Sequence, residues 1–178
     1  MEDRLREHCG VFGIYSRKYP EEVPHRTYDG LVSLQHRGQE SAGIYVFRDG
    51  LVSELVGHKG MGLATQVFNK QILDSLSGNV SVGHVRYSTT SESSIANAQP
   101  FLLKSSYAEF ALAFNGTISN YLQLKESLKA QGESFQTDTD TELLARIIAL
   151  KSQERGSFVE GMKDSMSILD GSYYLALV

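Results

Sequence analysis

Residues 9–15 read CGVFGIY, an apolar run opened by the chain's single cysteine and preceded by the polar octapeptide MEDRLREH. The run is rich in β-formers and predicts a strand over 10–16. A lone cysteine at the front of a strand can be a small buried hydrophobe. It can also become the first residue of the chain if residues 1–8 are removed. It would then carry both a thiol and a free α-amine, whose ordinary pKa of about 7.7–8.0 lies near neutrality.

Outward from this strand, helices and strands are mixed without repeats. A helix is expected over 28–36, ended by Gly38 in a left-handed cap. Two β-rich runs, 43–47 and 51–56, are joined at Asp49-Gly50, a dipeptide suited to a tight hairpin. A helix follows over 63–76, then a strand at Val80–Arg86. Residues 88–99 are rich in Ser, Thr and Asn and read as a mobile loop. Further elements are a strand at 110–114, helices at 119–130, 141–150 and 158–169, and a final strand at 173–178. Clustered hairpins and helices, rather than strict strand-helix alternation, predict an α+β fold with packed antiparallel sheets and helices outside. The closing strand SYYLALV has no polar tail after it, which leads us to expect a fragment of a longer chain.

Bulk properties narrow the function. The 178 residues are 41% hydrophobic, enough for one domain with a sizeable core. A net charge of −4 and pI near 5.7 give no basic footprint for nucleic acid, and no apolar stretch approaches the roughly 20 residues that span a bilayer. One cysteine makes neither an intrachain disulfide nor a multi-thiolate metal site, and the polar N-terminus lacks a signal core, so a cytoplasmic location is expected.

Four stretches bear on the chemistry of Cys9. In GHVRYST (83–89), Arg86 ends a strand, either as a solvated terminus or as a planar fork for a carboxylate. In ALAFNGTISN (111–120), Asn115-Gly116 is a hairpin turn or, with a helix following, a pair of convergent N–H donors suited to an oxyanion. In TDTDTE (137–142), Thr139 and Glu142 fit a capping box. Asp140 is then a first-turn carboxylate or a ligand for an ammonium group. In LQHRGQESAG (34–43), Arg37 and Gly38 cap a helix or shape a site. Together they supply a nucleophile, oxyanion donors, a carboxylate clamp and an ammonium clamp, as an N-terminal nucleophile attacking an amino acid's side-chain amide would need. A different N-terminal-nucleophile hydrolase and a non-catalytic binding module are the rival classes.

CGVFGIY, LQHRGQESAG, GHVRYST, NAQPF, FNGTISN and TDTDTE occur in this order over residues 9–142. The set resembles the class II glutamine amidotransferases, and within them the glutaminase domain of the amidophosphoribosyltransferase family. Glucosamine-6-phosphate synthase, the alternative weighed, has tryptophan where this chain has Tyr87 and tyrosine where it has His36. The resemblance implies an αββα four-layer sandwich of the N-terminal-nucleophile type over 9–178, truncated at its end, and a propeptide over 1–8. A phosphoribosyltransferase domain, absent here, would follow.

Carried over by resemblance, Cys9 is the nucleophile and Asn115 with Gly116 the oxyanion hole. Arg86, with Thr89 and Tyr87, binds the glutamine α-carboxylate, and Asp140 the α-ammonium. Arg37 and Gly38 support the nucleophile. Phe114 departs from the histidine that related enzymes often carry before Asn-Gly, which puts a supporting hydrogen bond in doubt. The resemblance also implies that ammonia reaches phosphoribosyl pyrophosphate to form phosphoribosylamine for purine synthesis, in an assembly of identical subunits. It implies no cofactor in this segment and magnesium in the missing domain, and it leaves an iron–sulfur cluster undecided.

Overall fold

A computed structural model describes residues 9–49, 53–87 and 93–178. The expected propeptide, the Gly50 turn residue and Thr89 lie outside the described residues. In chain order the elements are β1 (Gly10–Tyr15), α1 (Val23–Ser33), β2 (Ser41–Arg48), β3 (Glu54–Met61), α2 (Ala64–Val67), α3 (Lys70–Ser75), β4 (Val80–Arg86), β5 (Phe101–Lys104), β6 (Glu109–Ile118), α4 (Tyr121–Ala130), α5 (Asp140–Arg155), α6 (Phe158–Ser167) and β7 (Gly171–Leu177). They form two antiparallel sheets, ordered β1-β4-β2-β3 and β5-β6-β7.

Strand alternation sorts the side chains into layers. Ala42, Ile44 and Val46 of β2 and Val85 of β4 pack with Leu31 of α1 and with Ala64, Val67, Phe68 and Leu73, making a core between the first sheet and its helices. Phe110, Leu112, Phe114 and Ile118 of β6 pack with Leu143, Leu144, Ile147 and Ile148 of α5, making a second core on the far side of the other sheet. The opposite face of β6 carries the fully buried Ala111 and Ala113. Small residues line the inner faces elsewhere too: a Cβ added at Gly13 of β1 would lie 3.6 Å from the Ala176 Cβ of β7. The sheets therefore approach closely and the layers run helix, sheet, sheet, helix. No helix among the described residues is long and apolar enough to cross a membrane.

Several elements differ from expectation. The first helix is α1, starting five residues earlier at Val23-Pro24, where proline suits the first helical turn. It ends at Ser33, and a separate 3-10 turn covers Gln35–Arg37. Gly38 is extended (φ −155°), not left-handed; glycine is needed because a Cβ would meet the Val85 carbonyl at 2.7 Å. The helix expected over 63–76 is two short helices, broken where Phe68 is extended and Asn69 caps α3, its Oδ1 accepting from the Ile72 N–H at 2.9 Å. β5 was not expected, since FLLK is short and does not alternate. β6 continues through Asn-Gly to Ile118, because β7 supplies a neighbour that no local signal announces. Only half of the capping box forms: Thr139 Oγ1 accepts from the Glu142 N–H at 3.3 Å, while the Glu142 carboxylate turns inward.

Candidate active site

Cys9 leads into β1, and its neighbour β4 ends at Arg86, so both lie at one end of the first sheet. The thiol is half-buried and donates to the Tyr87 carbonyl at 3.8 Å. Arg37 Nε donates to the Cys9 carbonyl at 3.0 Å, and Asn115 Nδ2 reaches across from β6 to the same carbonyl at 3.1 Å. Donors from the 3-10 turn before β2 and from β6 of the second sheet thus hold the backbone of the cysteine. Burial is the main cause that raises the Cys9 pKa, with Glu40 reinforcing it and the Arg86 and Arg37 charges opposing it. The sulfur is therefore a thiol at neutral pH and needs a base beside it to become a nucleophile.

The backbone of β6 supplies the next part. In an antiparallel ladder the N–H and C=O of one residue point to the same neighbour, and alternate residues point to opposite neighbours. Ala111 exchanges bonds with Val178 at 2.7 and 3.0 Å, and the Ser119 N–H donates to the Asp170 carbonyl at 2.7 Å, so odd-numbered residues face β7. Even-numbered residues face β5, whose pairing stops with Phe101 opposite Leu112. Beyond that point side chains take over. The Phe114 N–H donates to Gln99 Oε1 at 2.7 Å, its carbonyl accepts from His84 Nε2 at 3.0 Å, and the Ile118 N–H donates to Asp140 Oδ2 at 3.2 Å. The Gly116 N–H points into the gap between these two tied rungs. At about 3.4 Å of rise per residue, it lies roughly 7 Å along the strand from each. Its φ of +145° is open to glycine, and a Cβ there would meet the Ser172 carbonyl at 2.2 Å.

This row brings Gly116 and Asp140 to the same side of β6, with Asn115 adjoining on the inter-sheet face. Asp140 sits at the start of α5, half-buried, and burial raises its pKa against the opposing Ile118 N–H bond. The segment before it is anchored by a carboxylate that sequence reasoning assigned only to capping. Glu142, with no exposed side-chain surface, accepts from the Gln136 N–H (2.9 Å), the Thr137 N–H (2.6 Å), Thr137 Oγ1 (2.8 Å) and Arg146 Nη2 (2.7 Å).

Arg86 is buried, and its Nη1 pairs with Glu40, whose own N–H donates to the Arg86 carbonyl at 3.0 Å. A substrate carboxylate on Arg86 would share the guanidinium with Glu40, whose other oxygen, Oε2, is buried without a hydrogen bond among the described residues. Gly38 packs its backbone against Val85 and Arg86, and Tyr87 is 46% exposed. Cys9, Arg37, Gly38, Arg86, Tyr87 and Asn115 are thus gathered by direct contacts. Glu40, His84, Gln99 and Glu142 were not singled out as site residues, although each lies in or beside a quoted motif.

The glutamine amidotransferase domain family matches residues 70–170, more than half of the chain. The chain is 41% identical over 177 residues to an amidophosphoribosyltransferase of Methanothermobacter thermautotrophicus, covering 99% of this chain and 37% of that protein. It is 46% identical over 170 residues to the Bacillus subtilis amidophosphoribosyltransferase, covering 95% and 34%. Among solved structures, one described as the allosteric regulatory enzyme of purine biosynthesis superposes with a TM-score of 0.82 at 43% identity, over 94% of this chain and 35% of the other. The B. subtilis glutamine phosphoribosylpyrophosphate amidotransferase complexed with ADP and GMP gives 0.81 at 42% identity, over 94% and 34%. The chain spans about a third of the length of these relatives, and the shared fold is the αββα sandwich of the N-terminal-nucleophile type. With this family match over more than half of its length and 41–46% identity to these relatives over nearly all of it, the chain belongs to the glutamine amidotransferase domain family.

Proposed function

We propose that the chain is the glutaminase portion of an amidophosphoribosyltransferase, releasing ammonia from glutamine for transfer to phosphoribosyl pyrophosphate. The observation that carries this reading is the meeting of Cys9 and Asn115 across the two sheets, beside the outward-pointing Gly116 N–H. Once Cys9 is N-terminal, its α-amine takes the thiol proton. Sγ then bonds to the glutamine Cδ, and the carbonyl electron pair moves onto oxygen, where Asn115 Nδ2 and Gly116 N–H donate. Collapse breaks the Cδ–N bond as the α-ammonium returns its proton to the departing nitrogen, leaving a thioester and ammonia. Water cleaves the thioester, giving glutamate and restoring the thiol. Arg86, Tyr87 and Thr89 receive the α-carboxylate, and Asp140 the α-ammonium. The ammonia acceptor is phosphoribosyl pyrophosphate, bound with magnesium in a phosphoribosyltransferase portion outside these residues, and the product is phosphoribosylamine.

Residues 1–8 tie up the nitrogen that must act as base, so cleavage between His8 and Cys9 is required. Intact mass and glutamate release, measured on the chain from Met1 and on one beginning at Cys9, test this. Only the second is expected to hydrolyse glutamine. Equal rates with residues 1–8 demonstrably attached would refute the mechanism.

Asp140 separates this reading from a general amidohydrolase. Asp140→Ala is expected to cost about 1.5–3 kcal/mol in kcat/KM for glutamine, the worth of a hydrogen bond to a charged group. It should leave the slow hydrolysis of glutaramate, which lacks the α-amine, unchanged. Because burial raises the Asp140 pKa, the glutamine KM should begin to rise on acidification at a higher pH than an ordinary carboxylate gives. Equal losses for the two substrates would leave Asp140 as a group that only holds the Ile118 N–H of β6 at the start of α5.

A further inference from the structure

We propose that Gln99 and His84 are positioning residues for the oxyanion donors, replacing the strand that β6 lacks beyond β5; this rests on the glutaminase reading above. β6 needs a neighbour on that side, because a free strand edge would let Asn115 and Gly116 shift, and an oxyanion hole works only if its donors are placed in advance. β5 cannot provide it, since the chain reaches β5 through Gln99-Pro100 and its last pair is Phe101 with Leu112. Two side chains do so instead. Gln99 Oε1 takes the Phe114 N–H at 2.7 Å and His84 Nε2 donates to the Phe114 carbonyl at 3.0 Å, so both backbone groups of the residue before Asn115 are held.

The two holders are themselves fixed. Gln99 is 8% exposed, and its backbone lies against Gly43 of β2, where a Cβ would stand 2.2 Å from the Gln99 carbonyl oxygen. The preceding residue, Ala98, is gripped by Lys59 of β3, whose Nζ donates to its carbonyl at 2.6 Å. His84 is fully buried on β4, two residues before Arg86, and a carbonyl can only accept, so the proton resides on Nε2. Burial, aided by the Arg86 charge and opposed by the Phe114 bond, lowers its pKa to about 3, so the imidazole remains a neutral, single-tautomer donor across the working range. His84 thereby supplies, from the opposite sheet, a hydrogen bond to the backbone of Phe114. Neither side chain need touch glutamine; each acts through the Phe114 rung on the N–H two residues further along.

The test uses the form of the chain that begins at Cys9, with the near-isosteric Gln99→Met, with His84→Met, and with His84→Gln, which retains an N–H donor. Removing either hold should lower kcat for glutamine hydrolysis by about tenfold to a hundredfold, less than outright loss of one oxyanion donor, with KM little changed. Glutamate γ-semialdehyde is the second probe. Its aldehyde carbon adds Sγ, the thiol proton ends on the former carbonyl oxygen, and that oxygen sits at the same donors. Its affinity should fall by the same factor as kcat in both methionine variants, while glutamate, which forms no such adduct, binds as in the parent. His84→Gln should recover most of the loss. Parental kcat in both methionine variants, or equal weakening of aldehyde and glutamate, would overturn the assignment. A parent chain with no glutaminase activity would instead count against the underlying reading.

Discussion

Replacing Cys9 by alanine is expected to lower glutamine hydrolysis by on the order of 10⁶-fold, the scale at which removal of a covalent nucleophile is felt. Cys9 is the chain's single cysteine, so no second sulfhydryl can substitute for it. The alanine keeps the backbone carbonyl that Arg37 and Asn115 hold, so the geometry around residue 9 should survive. The groups assigned to the amino-acid end of glutamine are on β4 and α5, remote in sequence from the nucleophile. Glutamine should therefore still bind to the variant, with an affinity within a few-fold of the parent's KM. Calorimetric titration of glutamine and a sensitive assay of glutamate release together check both halves. A variant that retained a substantial rate would move the chemistry away from Cys9. One that neither bound nor turned over glutamine, yet melted normally, would show that the thiol is part of the binding surface.

The second large effect is one of stability. Glu142→Ala is expected to destabilise the fold by roughly 3–5 kcal/mol, the usual consequence of removing one partner from a buried ion pair. Arg146, with 15% side-chain exposure, would lose two of its bonds and keep Glu133 at 3.0 Å, and the N–H groups of Gln136 and Thr137 would lose their acceptor. Urea denaturation followed by circular dichroism would read the loss; a change under about 1 kcal/mol would mean that water or a neighbour replaces the carboxylate. Burial alone would raise the Glu142 pKa, but the bonds from Gln136, Arg146 and Thr137 outweigh it and hold the carboxyl below its ordinary value. Its folded-state pKa is thus depressed. The stabilisation is fully present above the unfolded value of about 4.3 and is lost as pH falls through the lower folded value. The parent should accordingly lose stability in acid over a range that the alanine variant does not share. Since Glu142 holds the 136–137 backbone that leads to Asp140, the variant should also bind glutamine more weakly than the parent does.

The strand beginning at Gly10, the strand Val80–Arg86, and α4, α5 and α6 were legible in the sequence because their apolar spacing reflects burial along one element at a time. The candidacy of Cys9 came from the sequence for a different reason: a thiol with a strand behind it and a polar segment before it is a pattern contained in adjacent residues. The α+β class, the order of the site motifs and the grouping of Asn115 with Gly116 were likewise local facts. What only the tertiary structure decided is how backbone groups far apart in sequence are satisfied. β6 passes through Asn-Gly because β7 pairs with it, and the Gly116 N–H is presented because β5 stops two rungs short. Phe114 is held by Gln99 and His84, Arg86 is shared with Glu40, and Glu142 turns from capping to anchoring Gln136 and Thr137. Each is a polar group whose partner lies on another segment or another layer, and periodicity along one segment carries no record of which distant group will fill its hydrogen bond.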